Sequence, residues 1–119
     1  GASFLFKTGI NVAARGMAKE GVYVLVTRSG RYVGQSQNFL KRITQHFGKN
    51  GKLTGEQLKK ALLYEMPGST KLEREVYEQY LIDKFALQNL KNLVNPMGGR
   101  KNLYNQMIDG VIEKFKLPK

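Results

Sequence analysis

The chain has 119 residues, which suits one domain that buries about two-thirds of its unfolded surface. It has no cysteine, which excludes disulfide bonds and thiolate metal sites, and no apolar run approaches the roughly 20 residues of a membrane span. Twenty basic residues against nine acidic ones give a net charge of +11, which points to a polyanion: nucleic acid, an acidic membrane surface or an acidic protein.

The charges are unevenly distributed along the chain. Five of the nine acidic residues lie between 65 and 83, whereas residues 41–60 carry six Lys or Arg and one acid. Cationic side chains hold phosphates and carboxylates hold a divalent ion, so this pattern suits a metal-dependent nuclease. The simpler alternative is a positive surface that only maintains solubility.

The first predicted elements are a leader and a β-hairpin. Residues 1–19 show weak order, and we expect a linker or loose helix over about 10–19. The alternating, β-branched run VYVLVT (22–27) predicts a strand, and RYVG (31–34) returns as a second strand. A two-residue turn at Ser29-Gly30 would pair Thr27 with Tyr32. The side chains that would then share one face are Tyr23, Leu25, Thr27 and Tyr32.

A helix and a basic loop follow the hairpin. Ser36 is the predicted N-cap of a helix over 37–47, whose buried stripe is Phe39, Ile43 and Phe47. The glycine-rich run GKNGK (48–52) reads as a flexible basic loop, and Thr54 is predicted to begin a short helix.

Three elements are predicted in the second half of the chain. ALLYEM (61–66) is expected to be a third strand, ended by Pro67-Gly68. Thr70 and Glu73 form a capping box that opens a long helix to about residue 87. NLVNPMGG (92–99) reads as a loop, and a last helix is predicted over about 102–115.

Four residues of the types that take part in phosphodiester cleavage lie close together in the sequence. Arg42 and His46 are one helical turn apart, and a hairpin leading into this helix can bring their edge over the face of Tyr23 and Tyr32. Arginine clamps phosphate, and a tuned tyrosine or histidine moves protons. Each alone has a simpler explanation, since strand tyrosines usually pack in a core and a lone histidine is usually structural.

The arrangement of these residues resembles the GIY-YIG nuclease superfamily. GVY (21–23) is followed after eight residues by YVG (32–34) and then by Arg42-x-x-x-His46, and the resemblance covers about residues 21–96. It implies an α+β fold with a small three-stranded antiparallel sheet flanked by helices. Residues 1–20 would then be a leader or linker and residues 21–119 the nuclease domain.

The resemblance also implies roles for these residues. Tyr23 and Tyr32 would flank the nucleophilic water, one as general base and the other through a hydrogen bond; which does which stays open. Arg42 would bind the scissile phosphate. His46 would assist by proton transfer or by a phosphate contact.

Members of the family cleave nucleic acid with one divalent metal ion held by a glutamate. EQYLIDKF (78–85) resembles the family's Glu-x-x-x-Ile pattern, which makes Glu78 the expected metal ligand and leaves Glu75 in reserve. Glu73 and Glu75 have an alternative explanation as favourable charges in the first turn of a helix. The expected ion is Mg²⁺, with Mn²⁺ as the alternative.

An asparagine follows this helix in the family, and Asn92 and Asn95 are both candidates for it. Asn95, which precedes Pro96, could equally be a turn residue. The side chains expected to contact the nucleic-acid backbone, without reading its sequence, are Lys41, Lys49, Lys52, Lys59, Lys60, Arg100 and Lys101.

The run REVYEQYLID together with NLVNPMGG is more similar to the C-terminal toxin domains of bacterial polymorphic effectors, contact-dependent or type VI/Rhs-like, than to repair enzymes. This resemblance implies a domain delivered as part of a larger secreted effector, which degrades nucleic acid in the target-cell cytoplasm. DNA is slightly favoured over RNA as the substrate. The +11 surface would suit an acidic immunity protein.

Three alternatives remain open. The chain could be a non-catalytic basic module that binds nucleic acid on the same scaffold. It could be a fragment of a repair or mobile-element GIY-YIG endonuclease. A membrane- or partner-binding basic domain ranks last, because no strongly amphipathic basic helix stands out.

Overall fold

The computed structural model describes residues 2–6, 19–85 and 95–119. Within these ranges the chain forms four strands and three helices. In chain order they are β1 (Ala2–Phe6), β2 (Gly21–Thr27), β3 (Gly30–Ser36), α1 (Phe39–Phe47), β4 (Leu58–Glu65), α2 (Lys71–Lys84) and α3 (Lys101–Phe115). None of the helices in the described part of the chain is both long enough and apolar enough to cross a membrane.

The strands form one antiparallel sheet in the order β1-β4-β2-β3. The three predicted strands are its contiguous β4-β2-β3 part, so the predicted α+β fold with an antiparallel sheet flanked by helices is confirmed. Strand β1 was not predicted, and it pairs along the outer edge of β4, with Ala2 opposite Tyr64. Of the expected linker or loose helix over about 10–19, residues 10–18 lie outside the described part, and the domain division at residue 20 stays a prediction.

The hairpin turn lies one residue earlier than predicted. Thr27 pairs with Gly30, so the two turn residues are Arg28 and Ser29, and Tyr32 lies opposite Leu25. The partner of Thr27 therefore moves by two residues. Side chains alternate with a period of two, so this shift leaves Tyr23 and Tyr32 on the same face, as predicted.

Each face of the sheet carries its own hydrophobic core. One face packs against α1 through a cluster that contains Tyr23, Leu25, Tyr32, Phe39, Ile43, Ala61 and Leu63. The other packs against α2 and α3 through a cluster that contains Val22, Val24, Val33, Tyr64, Val76, Tyr77, Leu81 and Val111. The sheet thus separates α1 from the two long helices.

Two predicted boundaries around α1 are wrong. Asn38, not Ser36, is the N-cap, and its side chain accepts a hydrogen bond from the Lys41 backbone N–H at 3.0 Å. Ser36 instead hydrogen-bonds the Asn38 backbone. No helix begins at Thr54, because residues 52–55 form turns and the Thr54 hydroxyl bonds to the Gly51 carbonyl at 2.9 Å. The next element is β4, which begins at Leu58.

The predicted capping box of α2 is confirmed. Thr70 N–H donates to Glu73 Oε1 at 2.9 Å, and Glu73 N–H donates to Thr70 Oγ1 at 3.1 Å. The second carboxylate oxygen of Glu73 accepts from Lys114 Nζ of α3 at 2.7 Å. Both oxygens of Glu73 therefore serve the fold, which leaves this residue a structural role.

Gly34 of the YVG tripeptide gives the Tyr23 ring the space it occupies. A Cβ at Gly34 would lie 2.5 Å from Tyr23 Cζ and closer still to the hydroxyl oxygen. Tyr23 and Gly34 are cross-strand partners, so neither can withdraw without disturbing the ladder. A side chain at this position would displace the tyrosine from its place in the core.

Gly34→Ala is expected to destabilise the protein by about 1–3 kcal/mol through overpacking. Urea unfolding of both proteins measures this loss. As a control, alanine at Gly110, where an added Cβ meets no atom within 4 Å, should not destabilise the protein. Equal stability of Gly34→Ala and the unchanged protein would contradict this account.

Candidate active site

Tyr23 and His46 form a buried hydrogen-bonded pair. Tyr23 lies on β2 and His46 in the last turn of α1, and their hydroxyl oxygen and Nε2 are 2.7 Å apart. The two side chains are 1% and 2% exposed. Phe39 and Ile43 of α1 pack on the same sheet face and bring the end of the helix over Tyr23. The predicted meeting of this helix with the tyrosine face is thus present.

Tyr32 completes the aromatic part of the site. Its ring centroid lies 4.6 Å from that of His46. Its hydroxyl accepts a hydrogen bond from Lys52 Nζ at 3.2 Å. The sequence predicts only a backbone contact for Lys52, so its approach to Tyr32 was missed. The one sequence feature that could have indicated this approach is the glycine before Lys52. In the structure, a Cβ at Gly51 would collide with backbone carbonyls at the end of α1.

Both members of the buried pair are neutral near pH 7. Burial, then the positive charges of Arg42 and Lys52, lower the pKa of His46 to about 4. Burial, then the neighbouring Tyr32, raise the pKa of Tyr23 far above its usual value, although Arg42 opposes the shift. A neutral imidazole has one donor and one acceptor nitrogen, so Nε2 can accept the tyrosine proton in one tautomer.

Arg42 lies on the exposed edge of α1. It donates to Gln45 Oε1 at 3.3 Å, and its charge reaches Tyr23, His46 and Glu78. It borders a groove of about 510 Å³ whose lining also includes His46, Lys49 and Lys52. The groove is cationic and open to solvent, which suits a phosphate-bearing chain.

Glu78 lies on α2, is half-buried, and interacts electrostatically with Arg42, Lys52 and Tyr23 of this site. Burial, then the nearby Glu75, raise the pKa of Glu78 to about 7, while Lys52 and Arg42 act in the opposite direction. Glu75, the reserve ligand, lies 3.6 Å from Arg100 in an ion pair. Burial disfavours the ionised form of Glu78, and no ion-pair partner compensates for this among the described residues. Glu73 and Glu75 each have such a partner.

Glu78 could hold a divalent ion through its carboxylate. The described residues contain no group of three or more His, Asp or Glu side chains that could chelate a metal. An ion held by Glu78 would suit the ligation of Mg²⁺, which commonly binds one or two carboxylates and completes its shell with water and phosphate oxygens. Positive charge beside Glu78 would also relieve the cost of ionising a half-buried carboxyl.

An ion held by Glu78 would bind with a pH dependence set by this carboxyl. The pKa of Glu78 is about 7, so protons compete with the ion below this pH. We expect the apparent Mn²⁺ dissociation constant to rise by up to about tenfold for each unit below pH 7 and to level off above it. Paramagnetic broadening of NMR signals by Mn²⁺ between pH 5 and 8 measures this. A pH-independent constant would contradict the assignment.

Asn95, one of the two candidate asparagines, does not join this cluster. Asn95 accepts a hydrogen bond from Gln79 at 3.3 Å and lines a cavity of about 320 Å³ with residues of α2 and α3. Gln79 also accepts from the Met97 backbone N–H at 3.3 Å, which ties the turn to α2. Asn92 lies outside the described residues.

The predicted backbone-contact residues fall on different sides of the molecule. Lys49 and Lys52 line the groove beside Arg42, and Lys41 is exposed on the first turn of α1. On β4, Lys59 is exposed and Lys60 half-buried. Arg100 pairs with Glu75, and Lys101 lines the cavity that holds Asn95. Lys49 and Lys52 are therefore the best placed to hold a substrate in the groove beside Arg42 and His46.

A proton-accepting pair beside an arginine-lined groove and a carboxylate is an arrangement suited to hydrolysing phosphodiesters. Residues 19–92 match the GIY-YIG catalytic domain family. This match covers well over half of the chain, which therefore belongs to that family and is a GIY-YIG-type endonuclease acting on nucleic acid. No curated protein and no solved structure matches the chain.

Proposed function

We propose that this nuclease cleaves with one divalent metal ion and that Tyr23 is its general base. The observation that carries the proposal is the 2.7 Å hydrogen bond between Tyr23 and His46, which gives the tyrosine a route for its proton. The Tyr32 hydroxyl instead accepts a hydrogen bond from Lys52. Of the two tyrosines, Tyr23 is therefore the better general base, because His46 can accept its proton.

The proton transfer can run as a relay. Tyr23 does not ionise by itself near pH 7, because burial raises its pKa. It can take a proton from a water molecule as its own proton passes to His46 Nε2, and the resulting hydroxide attacks phosphorus. His46 becomes cationic only transiently, since burial and two nearby cations keep its pKa at about 4. An imidazolium with so low a pKa readily gives the proton to the leaving oxygen or to solvent.

Arg42, Tyr32 and Glu78 complete the proposed chemistry. Arg42 would bind the scissile phosphate from the groove and stabilise the charge that develops on it. Tyr32 would orient the water by a hydrogen bond. Glu78 would hold the ion, and a bound Mg²⁺ supplies Lewis-acid polarisation of the phosphate oxygens.

A cleavage assay on supercoiled plasmid and on total tRNA, each in Mg²⁺ or EDTA, tests this function. We propose DNA as the preferred substrate, so the plasmid should be cut in Mg²⁺ and remain intact in EDTA. Cleavage of tRNA but not of plasmid would support the nuclease activity and show that RNA, not DNA, is the substrate. Salt-dependent binding without cleavage of either substrate would favour the non-catalytic module.

We also propose that the domain acts as an interbacterial toxin, delivered within a larger effector into the cytoplasm of a target cell. Support comes from the resemblance of the α2 sequence and the NLVNPMGG run to effector toxin domains. The +11 charge would suit an acidic immunity protein as partner. Tightly controlled expression in a bacterial cytoplasm should arrest growth, and Glu78→Gln should abolish the effect. Unimpaired growth with the active enzyme would favour a repair or mobile-element role.

A further inference from the structure

Lys52 differs from the other lysines of the groove in what it contacts. Its Nζ lies 3.2 Å from the Tyr32 hydroxyl and 5.5 Å from the centroid of the same ring. An ammonium group only donates hydrogen bonds, so the Tyr32 oxygen is the acceptor. The phenolic proton of Tyr32 is therefore directed away from Lys52 and remains available to a different acceptor.

The loop that carries Lys52 packs against the C-terminal end of α1. Leu53, the next residue, donates its backbone N–H to the His46 carbonyl at 2.9 Å, and its side chain is 1% exposed in the core under α1. Gly51 lies so close to the carbonyls of Gln45 and His46 that no Cβ fits. Gly51 and Leu53, the two neighbours of Lys52 in the sequence, thus fix the backbone at Lys52.

The charge of Lys52 also acts on a second group of the site. It lowers the pKa of His46, after burial and Arg42. Lys49 offers a natural comparison. It lines the same groove and is exposed, but among the described residues no contact joins it to Tyr32 or His46.

We propose that Lys52 is a positioning residue of the active site, which acts through Tyr32 by holding its hydroxyl so that the phenolic proton faces the reacting water or phosphate. This inference rests on the proposed function. It gives Lys52 a task beyond attraction of the nucleic-acid backbone, and it explains why the loop after α1 packs so closely on the helix end.

Steady-state cleavage by Lys52→Ala, Lys52→Arg and Lys49→Ala separates this role from backbone attraction. Lys52→Ala should lower kcat by about 10- to 100-fold with KM changed less than about threefold, and Lys52→Arg should recover most of the loss. Lys49→Ala should instead raise KM. In a Tyr32→Phe background, Lys52→Ala should cost almost nothing further, since the hydroxyl it acts through is gone.

His46 gives a readout that needs no catalysis. It is the sole histidine in the sequence, so its NMR titration is unambiguous. Its pKa should rise in Lys52→Ala, because a nearby positive charge is lost, and should stay unchanged in Lys49→Ala. The groups that face His46 in every variant are Tyr23, Tyr32 and Arg42.

Identical kinetics and identical His46 titrations for Lys52→Ala and Lys49→Ala, in a protein that cleaves, would overturn the role of Lys52 alone. Full additivity of Lys52→Ala with Tyr32→Phe would do the same. Absence of cleavage by the unchanged protein in Mg²⁺ would instead overturn the proposed function, and the role of Lys52 with it.

Discussion

Glu78→Gln is expected to abolish cleavage, with a loss of about a thousandfold or more, while binding of nucleic acid persists. Glutamine has nearly the same shape but cannot supply a carboxylate to a divalent ion. The groove cations that attract the substrate are unchanged by the substitution. A plasmid cleavage assay and a binding measurement on the same preparations separate the two effects.

The stability of this variant provides an independent check. The pKa of Glu78 is raised to about 7, so the metal-free folded protein binds this proton more tightly than the unfolded chain does. Stability from this group is therefore lost as pH rises toward 7 and above. Glu78→Gln should melt at or above the temperature of the unchanged protein at pH 8.

Glu75→Gln is the matched control for Glu78→Gln, because Glu75 lies one turn earlier on α2 and pairs with Arg100. It should retain most of the activity. Loss of cleavage in Glu75→Gln with full activity in Glu78→Gln would reverse the assignment of the metal ligand.

Tyr23→Phe is expected to lower kcat by about 100- to 1,000-fold. The substitution removes the hydroxyl that hydrogen-bonds His46 and that would exchange protons with the water, but it keeps the ring in the core. It also leaves His46 Nε2 buried without this partner, which costs about 1–3 kcal/mol of stability. Cleavage kinetics and urea unfolding measure these two losses.

Tyr77→Phe is a close control for this variant. Tyr77 is equally buried, but it lies in the core on the opposite face of the sheet, where its hydroxyl donates to the Pro118 carbonyl at 2.8 Å. Its loss should destabilise the protein to a similar degree without changing kcat. If Tyr23→Phe loses no more activity than Tyr77→Phe, Tyr23 is not the general base.

The sequence predicted the elements whose signals are local. The alternation of 22–27 specifies a strand with two faces, and the pair Thr70 and Glu73 marks the start of α2 within four residues. Tyr23 and Tyr32 still share one face although the turn lies one residue earlier than predicted, because the cross-strand pairing moved by two residues.

The two failures have different causes. Strand β1 is defined by its pairing with the distant strand β4, and five residues carry too little periodicity to predict it. Thr54 has the sequence of a helix start, but its hydroxyl bonds to the Gly51 carbonyl in the loop that follows α1. Such local side-chain bonds to the backbone compete with a helix start.

The candidate site divides along the same line. Tyr23, Arg42 and His46 could be grouped from strand and helix periodicity together with the chemistry of their side chains and the family resemblance. The choice among three glutamates depends on partners supplied by distant residues, since Lys114 occupies Glu73 and Arg100 occupies Glu75. Lys52 could not be connected to Tyr32, because that contact depends on how the 48–52 loop folds back.

The central claim is tested most directly by incubating supercoiled plasmid with the unchanged protein and with Glu78→Gln, in Mg²⁺ and in EDTA, while binding is measured on the same samples. We predict nicked or linear plasmid only for the unchanged protein in Mg²⁺, with equal binding by the variant. Equal cleavage by both proteins, or cleavage that continues in EDTA, would contradict a metal-dependent site built on Glu78.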